Sequence, residues 1–146
     1  MRKITSFKHH FVENIPDNLK RGVLYISIDF STMIHLCACG CDHEVVTPLS
    51  PLDWKFLFDG ETVSVTPSIG SWSLPCRSHY NIRTGAVIWA AGWSDEMIAE
   101  GRKIDLLKKR GRYGSVSKSK VAAHETVKSS AEVSTFRRVF LWFKGN

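Results

Sequence analysis

The sequence predicts a mainly β protein: a small antiparallel β-sheet domain with a metal site, followed by one α-helix and a flexible basic C-terminal tail. Three observations lead there. Between residues 22 and 93, apolar residues come in short alternating runs broken by Asp-Gly, Thr-Gly and Pro-rich punctuation. A single stretch, opening at Ser94, carries helix start and stop signals. Four cysteines, three of them within five residues, lie inside the β region.

Residues 1–21 are polar and mixed, with a turn at Asn14-Ile15-Pro16-Asp17-Asn18, and read as an N-terminal extension. The β domain spans 22–93. Its first strand runs from Gly22 to Phe30, with Leu24, Ile26, Ile28 and Phe30 on one face. Met33 to Cys39 and His43 to Thr47 are the next two, before Pro48 and Pro51 break the pattern. Two hairpins follow. Trp54–Phe58 and Glu61–Val65 flank Asp59-Gly60, and His79–Arg83 and Ala86–Ala90 flank Thr84-Gly85; both dipeptides suit the positive φ of a two-residue turn. The Gly-, Ser- and Pro-rich stretch between them, Pro67–Pro75, reads as a loop and not a central strand.

The helix covers 94–111. Ser94 caps it, Asp95 and Glu96 suit its positive end, and Lys108, Lys109 and Arg110 its negative end. Met97, Ile98, Ala99, Ile104 and Leu107 supply an apolar stripe. Residues 112–146 are a basic linker and a terminal amphipathic segment, with Phe136, Val139, Phe140 and Phe143 at helical spacing.

The net charge of +6 belongs to one end of the chain. Residues 1–101 carry 8 Lys/Arg against 11 Asp/Glu, whereas residues 102–146 carry 12 against 3. Specific nucleic-acid binding is therefore not expected of the β domain. The longest apolar run, Ala86–Trp93, falls far short of the roughly 20 residues that cross a bilayer, and the N-terminus lacks a secretory apolar core. A cytoplasmic address is expected, in which crowded cysteines stay reduced and bind metal instead of pairing.

Cys37, Cys39 and Cys41 would share one face if their segment were extended, with Gly40 easing the backbone so that the thiolates converge. Cys76 and His79 form a second donor pair, and His43 is a less favoured sixth candidate. Sulfur and imidazole nitrogen suit Zn²⁺, which takes four such ligands in closed structural sites; a Cys3His set is the first choice, with the excluded cysteine undetermined. His35 reads as a core or surface histidine. Cys41-x-His43 with Cys76-x-x-His79 also reproduces the ligand pattern of a Rieske two-iron two-sulfur cluster, in which Cys37 and Cys39 have no role.

Other chemistry has less support. A metal-dependent hydrolase needs an open coordination position and a base, for which Glu44, Asp53, Asp59 and Ser68 are available, but H-E-x-x-H is absent. Pairing His79 with Ser68 or Ser78 as a catalytic couple lacks a nucleophile-elbow motif around either serine. Trp54, Trp72, Tyr80 and Trp89 read as core around the metal site. No phosphate-binding glycine motif is present.

The segments Ile34-His35-Leu36-Cys37-Ala38-Cys39-Gly40-Cys41, Val45–Leu49, Pro67–Trp72 and Pro75-Cys76-Arg77-Ser78-His79-Tyr80 occur in an order that resembles a family of small Cys-rich bacterial proteins. Members of that family are often encoded beside homologues of ubiquitin-activating and ubiquitin-conjugating enzymes and multiubiquitin proteins. The resemblance covers about residues 20–110 and does not extend to His43. It departs at Ser71 and Asn81, where the family usually carries Asn and Trp. It implies one shared site built from the Cys-x-Cys-Gly-Cys segment and the Cys-x-x-His pair. It also implies protein partners in a bacterial ubiquitin-like conjugation pathway. The expected function is a zinc-stabilised accessory or recognition protein of that pathway. A metal-dependent peptidase that removes the ubiquitin-like modifier is the alternative, and a Rieske-type protein the third reading.

Overall fold

The computed structural model, which describes residues 2–112, arranges the chain as eight strands in two four-stranded sheets, with a helix after the last strand. The first sheet holds β1 (Lys8–Phe11), β2 (Val23–Ser27), β3 (Thr32–Leu36) and β4 (Glu44–Pro48), in that order. The second holds β5 (Lys55–Phe58), β6 (Val63–Gly70), β7 (His79–Arg83) and β8 (Ala86–Trp89), again in order. All neighbours are antiparallel except β1 and β2, which pair in parallel from Lys8↔Val23 to Phe11↔Ile26. One apolar core draws on both sheets: Leu24, Ile26 and Met33 from the first, and Val63, Val65, Ile69, Tyr80 and Ile82 from the second. The mainly β fold class holds, as two sheets where one was expected.

Several elements differ from their sequence reading. Polar residues 1–21 contribute β1, whose alternation is hidden by His9 and His10. Strand β2 stops at Ser27 and turns through Ser31, so Ile28 and Phe30 stand exposed, while Tyr25 and Ser27 are buried on the other face. The Asp59-Gly60 hairpin closes by a four-residue loop, because Phe58 pairs with Val63. Asp59 makes that loop by accepting the N–H groups of Glu61 and Thr62 and the Thr62 hydroxyl. The Thr84-Gly85 turn is the two-residue type expected, with both residues at positive φ and Arg83 opposite Ala86.

The largest correction concerns residues 67–70. Strand β6 runs through Pro67 to Gly70 in the middle of its sheet, where the sequence suggests a loop. The reason is a bulge: Val65 pairs with Ile82 and Ile69 with Tyr80, so Thr66, Pro67 and Ser68 stand opposite Asn81 alone. A bulge leaves residues outside the ladder, and a proline without an N–H costs nothing there.

The chain divides into two units, Met1–Gly101 and Arg102–Asn146. The helix, α1, begins at residue 95 in the first and is described through 112. The Ser94 hydroxyl accepts the Met97 N–H at 3.3 Å, as a cap does. Ile98 is buried, whereas Met97 is half exposed. The basic linker and the amphipathic segment around Phe136–Phe143 lie outside the described residues, and no described helix is long and apolar enough to cross a membrane.

Candidate functional site

Two constellations stand out, one between the β3–β4 and β6–β7 connections and one on the second sheet. The first is the cysteine cluster. After β3 the chain does not remain extended: the Gly40 N–H bonds the Cys37 carbonyl at 3.0 Å, Gly40 and Asp42 take positive φ, and the Cys37 N–H reaches the His43 carbonyl at 2.8 Å. The thiols thus converge around a tight knuckle and not by strand alternation. Arg21 braces it from outside through the Asp42 carboxylate and the Gly40 carbonyl. Nested turns from Ser71 to Arg77 bring Cys76 to the same place.

The sulfurs of Cys37, Cys39, Cys41 and Cys76 all lie within 4.8 Å of one another. Cys37 is 3.5 Å from Cys39 and 3.8 Å from Cys76. A tetrahedron with zinc–sulfur bonds of about 2.3 Å has sulfur–sulfur edges of about 3.8 Å, so these four thiols fit one ion. Their electrostatics agree. Burial raises the Cys37 thiol, and burial together with bonds to Cys39 and Cys76 pushes Cys41 up to about 12. At Cys39 burial acts upward too, but bonds from Ser78 and Cys41 outweigh it and bring the thiol to about 6. Four crowded sulfurs cannot all ionise without a counter-charge, which a divalent cation supplies.

Of the six sequence candidates, the four cysteines come together and the two histidines do not. His43 is exposed, its Nδ1 3.1 Å from the Cys41 carbonyl oxygen. His79 points away to the second constellation. Among the described residues, then, the gathered donor set is all sulfur, without the histidine of a Cys3His set or the two of a Rieske pair.

His79 opens β7, and its register partner is Gly70. Ser68 lies in the bulge just before that pair, with its hydroxyl against the imidazole. The His79 Nε2 lies 2.9 Å from the Ser68 Oγ, and the Nδ1 lies 2.6 Å from the Ala91 carbonyl oxygen. A carbonyl only accepts, so Nδ1 carries the proton of the neutral ring and Nε2 presents its lone pair to the serine hydroxyl. Nucleophile, base and orienting group thus stand in the order that acyl-transfer chemistry needs, with a backbone carbonyl where a carboxylate is more usual. The Trp54 indole N–H holds the Ser68 carbonyl at 3.4 Å. Trp72 and Trp93 stack on each other at 5.6 Å and flank the imidazole at 4.9 and 5.5 Å. Of the four aromatics read as core, Tyr80 is fully buried, Trp54 packs partly buried against the core and Trp72 shields the imidazole, whereas Trp89 stands exposed.

Trp72 lies over Gly70: a Cβ there would fall 2.3 Å from the indole nitrogen. A cavity of about 290 Å³ opens beside His79, bounded by Cys39, Cys76, Trp89 and Gly92. His35 is buried, with Nε2 2.8 Å from the Tyr80 hydroxyl, and burial lowers its imidazole to about 3. Of the core and surface positions the sequence leaves open for His35, it takes the core one.

Comparison with curated proteins and with solved structures finds no match. Residues 11–90, which span β2 to β8 and only the last residue of β1, match the family described as "Bacterial ubiquitination-like system serine protease (BubE)". The chain belongs to this family of a bacterial ubiquitination-like system.

Proposed function

We propose that the protein is a serine peptidase of its ubiquitination-like system, with Ser68 as nucleophile and His79 as general base. The observation that carries the reading is the single imidazole held between the Ala91 carbonyl and the Ser68 hydroxyl. The substrate class is a ubiquitin-like modifier joined through its acyl group to another protein. Ser68 Oγ attacks the scissile carbonyl carbon while its proton passes to His79 Nε2. Collapse of the tetrahedral adduct breaks the acyl bond, and the leaving group takes that proton from Nε2. Water then hydrolyses the acyl-serine with His79 again acting as base. The Ala91 carbonyl holds the ring in the required tautomer throughout.

Zinc is the ion that best suits four thiolates, and there it supplies a cross-link between the β3–β4 knuckle and the β6–β7 loop. Four protein sulfurs fill a tetrahedron, so the reading assigns the metal to structure and routes no chemical step through it. Elemental analysis should give about one zinc per colourless chain; visible absorbance with labile sulfide would indicate an iron cluster instead.

The deciding experiment is cleavage of a ubiquitin-like fusion, with fluorophosphonate labelling alongside. Ser68→Ala should lower cleavage by about a thousandfold or more and abolish labelling at that position, with thermal stability unchanged. Folded, zinc-containing wild type that neither labels nor cleaves would leave the accessory or recognition role. Cleavage that survives Ser68→Ala but requires the metal would favour the metal-dependent peptidase.

A further inference from the structure

One short stretch of chain encloses His79. Strand β8 finishes where the Ala90 N–H reaches the His79 carbonyl at 2.9 Å, and α1 is capped by Ser94. Ala91, Gly92 and Trp93 join the two and belong to neither. This strap holds the imidazole twice. The Ala91 carbonyl accepts the Nδ1 proton at 2.6 Å, and the Trp93 ring meets the imidazole at 5.5 Å and 73°. Trp93 also stacks on Trp72 at 5.6 Å and 21°, so the two indoles wall the imidazole together. His79 stays buried beside an exposed Ala91 and Gly92, with those indoles as its cover.

The start of α1 fixes the far end of the strap. Ile98 is buried in its first turn, and the Asp95 carboxylate accepts a hydrogen bond from Arg77 at 2.6 Å. Gly101 lies inside the helix, where glycine is unfavourable. Its neighbour gives the reason: a Cβ at Gly101 would stand 3.2 Å from the Trp93 indole. The missing side chain seats that ring between α1 and His79.

We infer that Trp93 is a positioning residue for His79, and that Gly101 of α1 sets its seat. The inference rests on the Ser68–His79 reading above. The imidazole must keep 2.6 Å to a carbonyl and 2.9 Å to a hydroxyl at once. Displacing a catalytic group by about 1 Å costs on the order of a hundredfold in rate. Rings that meet edge to face prefer that geometry, so Trp93 restrains the tilt on which both contacts depend.

The test uses the full chain in its zinc form with a fluorophosphonate probe. Ser68 Oγ attacks phosphorus, fluoride leaves, and the hydroxyl proton goes to His79 Nε2. Trp93→Ala should slow the bond-forming step by about ten- to a hundredfold. The probe's binding constant, the zinc content and the far-ultraviolet spectrum should stay as in wild type. Trp93→Phe, which keeps an aromatic edge, should return most of the rate. Nuclear magnetic resonance supplies a second readout, the His79 Nδ1–H signal, identified by its absence from His79→Gln. Its exchange with water should quicken in Trp93→Ala and slow again in Trp93→Phe. Wild-type labelling and exchange in Trp93→Ala would overturn the inference. So would a loss confined to probe binding, which would make Trp93 a wall of the probe's site alone.

Gly101→Ala approaches from the helix side and replaces Trp93→Ala if that variant fails to fold. Alanine favours the helix, so the melting temperature should hold or rise, yet the crowded indole should slow labelling by about threefold or more. An undiminished rate would sink the link from α1 to the site. Failure of the serine reading itself looks different: wild type and Ser68→Ala would then label alike, while Nδ1–H exchange would still respond to Trp93→Ala.

Discussion

At the scale of residues, Gly70 shows how narrowly the serine site is fitted. Its missing side chain lets the Trp72 indole lie against the strand and beside His79. Gly70→Ala should push that ring off its seat and destabilise the protein by about 1–3 kcal/mol, as overpacking does, measurable by urea unfolding. Labelling of Ser68 should slow in the same variant, because the imidazole loses one wall. The cysteines were legible at this scale, since thiols in such crowding rarely have another use in a reducing setting. Ser68 does not stand out in the sequence, because serine is common and nothing adjacent marks a nucleophile. Its approach to the imidazole depends on the Gly70–His79 register and on the bulge just before it, and neither leaves a mark in the sequence pattern. Spacing misassigned His79, whose distance from Cys76 mimics a ligand pair while strand alternation turns it the other way.

Among the elements, hairpins were read well where the turn residues dictate geometry and less well where side chains take over. Thr84-Gly85 closes as expected, but Asp59 lengthens its own loop by capturing the Thr62 hydroxyl and two backbone N–H groups. Those bonds, the Thr62 hydroxyl first, hold the Asp59 carboxylate at about 2, below its ordinary 3.8. A depressed folded value means the stabilisation is complete above about 3.8 and disappears as pH falls toward 2. Asp59→Asn keeps the turn chemistry but cannot titrate. Its unfolding free energy should vary less with pH across that window than that of wild type, as urea titrations at several pH values will show. The second half of β6, from Thr66 to Gly70, was illegible because proline and glycine are poor strand residues, and a bulge that tolerates both leaves no periodic trace. Strand β1 escaped because its two histidines, His9 half-buried and His10 exposed, interrupt any apolar alternation.

For the whole molecule, the cysteine cluster joins segments almost forty residues apart and so acts on the unfolded chain as well as on the native one. Binding energy of an ion to such a set becomes folding energy. Cys76→Ser should lower the melting temperature by about 10 °C, the equivalent of about 2 kcal/mol in a domain of this size, and reduce bound zinc. Among the described residues, the core cluster shared by the two sheets runs from Ile4 to Val87. A chain ending at residue 112 should therefore keep its cooperative melt and its zinc; broad, low-temperature unfolding would show that the remainder contributes. The two-sheet arrangement was beyond sequence pattern because nothing local specifies that β1 lies parallel to β2, or that residues 49–54 cross between sheets.

The partner that orients His79 belongs to the main chain, at Ala91. No codon change deletes a peptide oxygen, so this part of the machinery is immune to the substitutions that cripple an aspartate in the same place. On the serine-peptidase reading, that oxygen offers a dipole and no full charge to the imidazolium born during attack, and so stabilises it less than a carboxylate would.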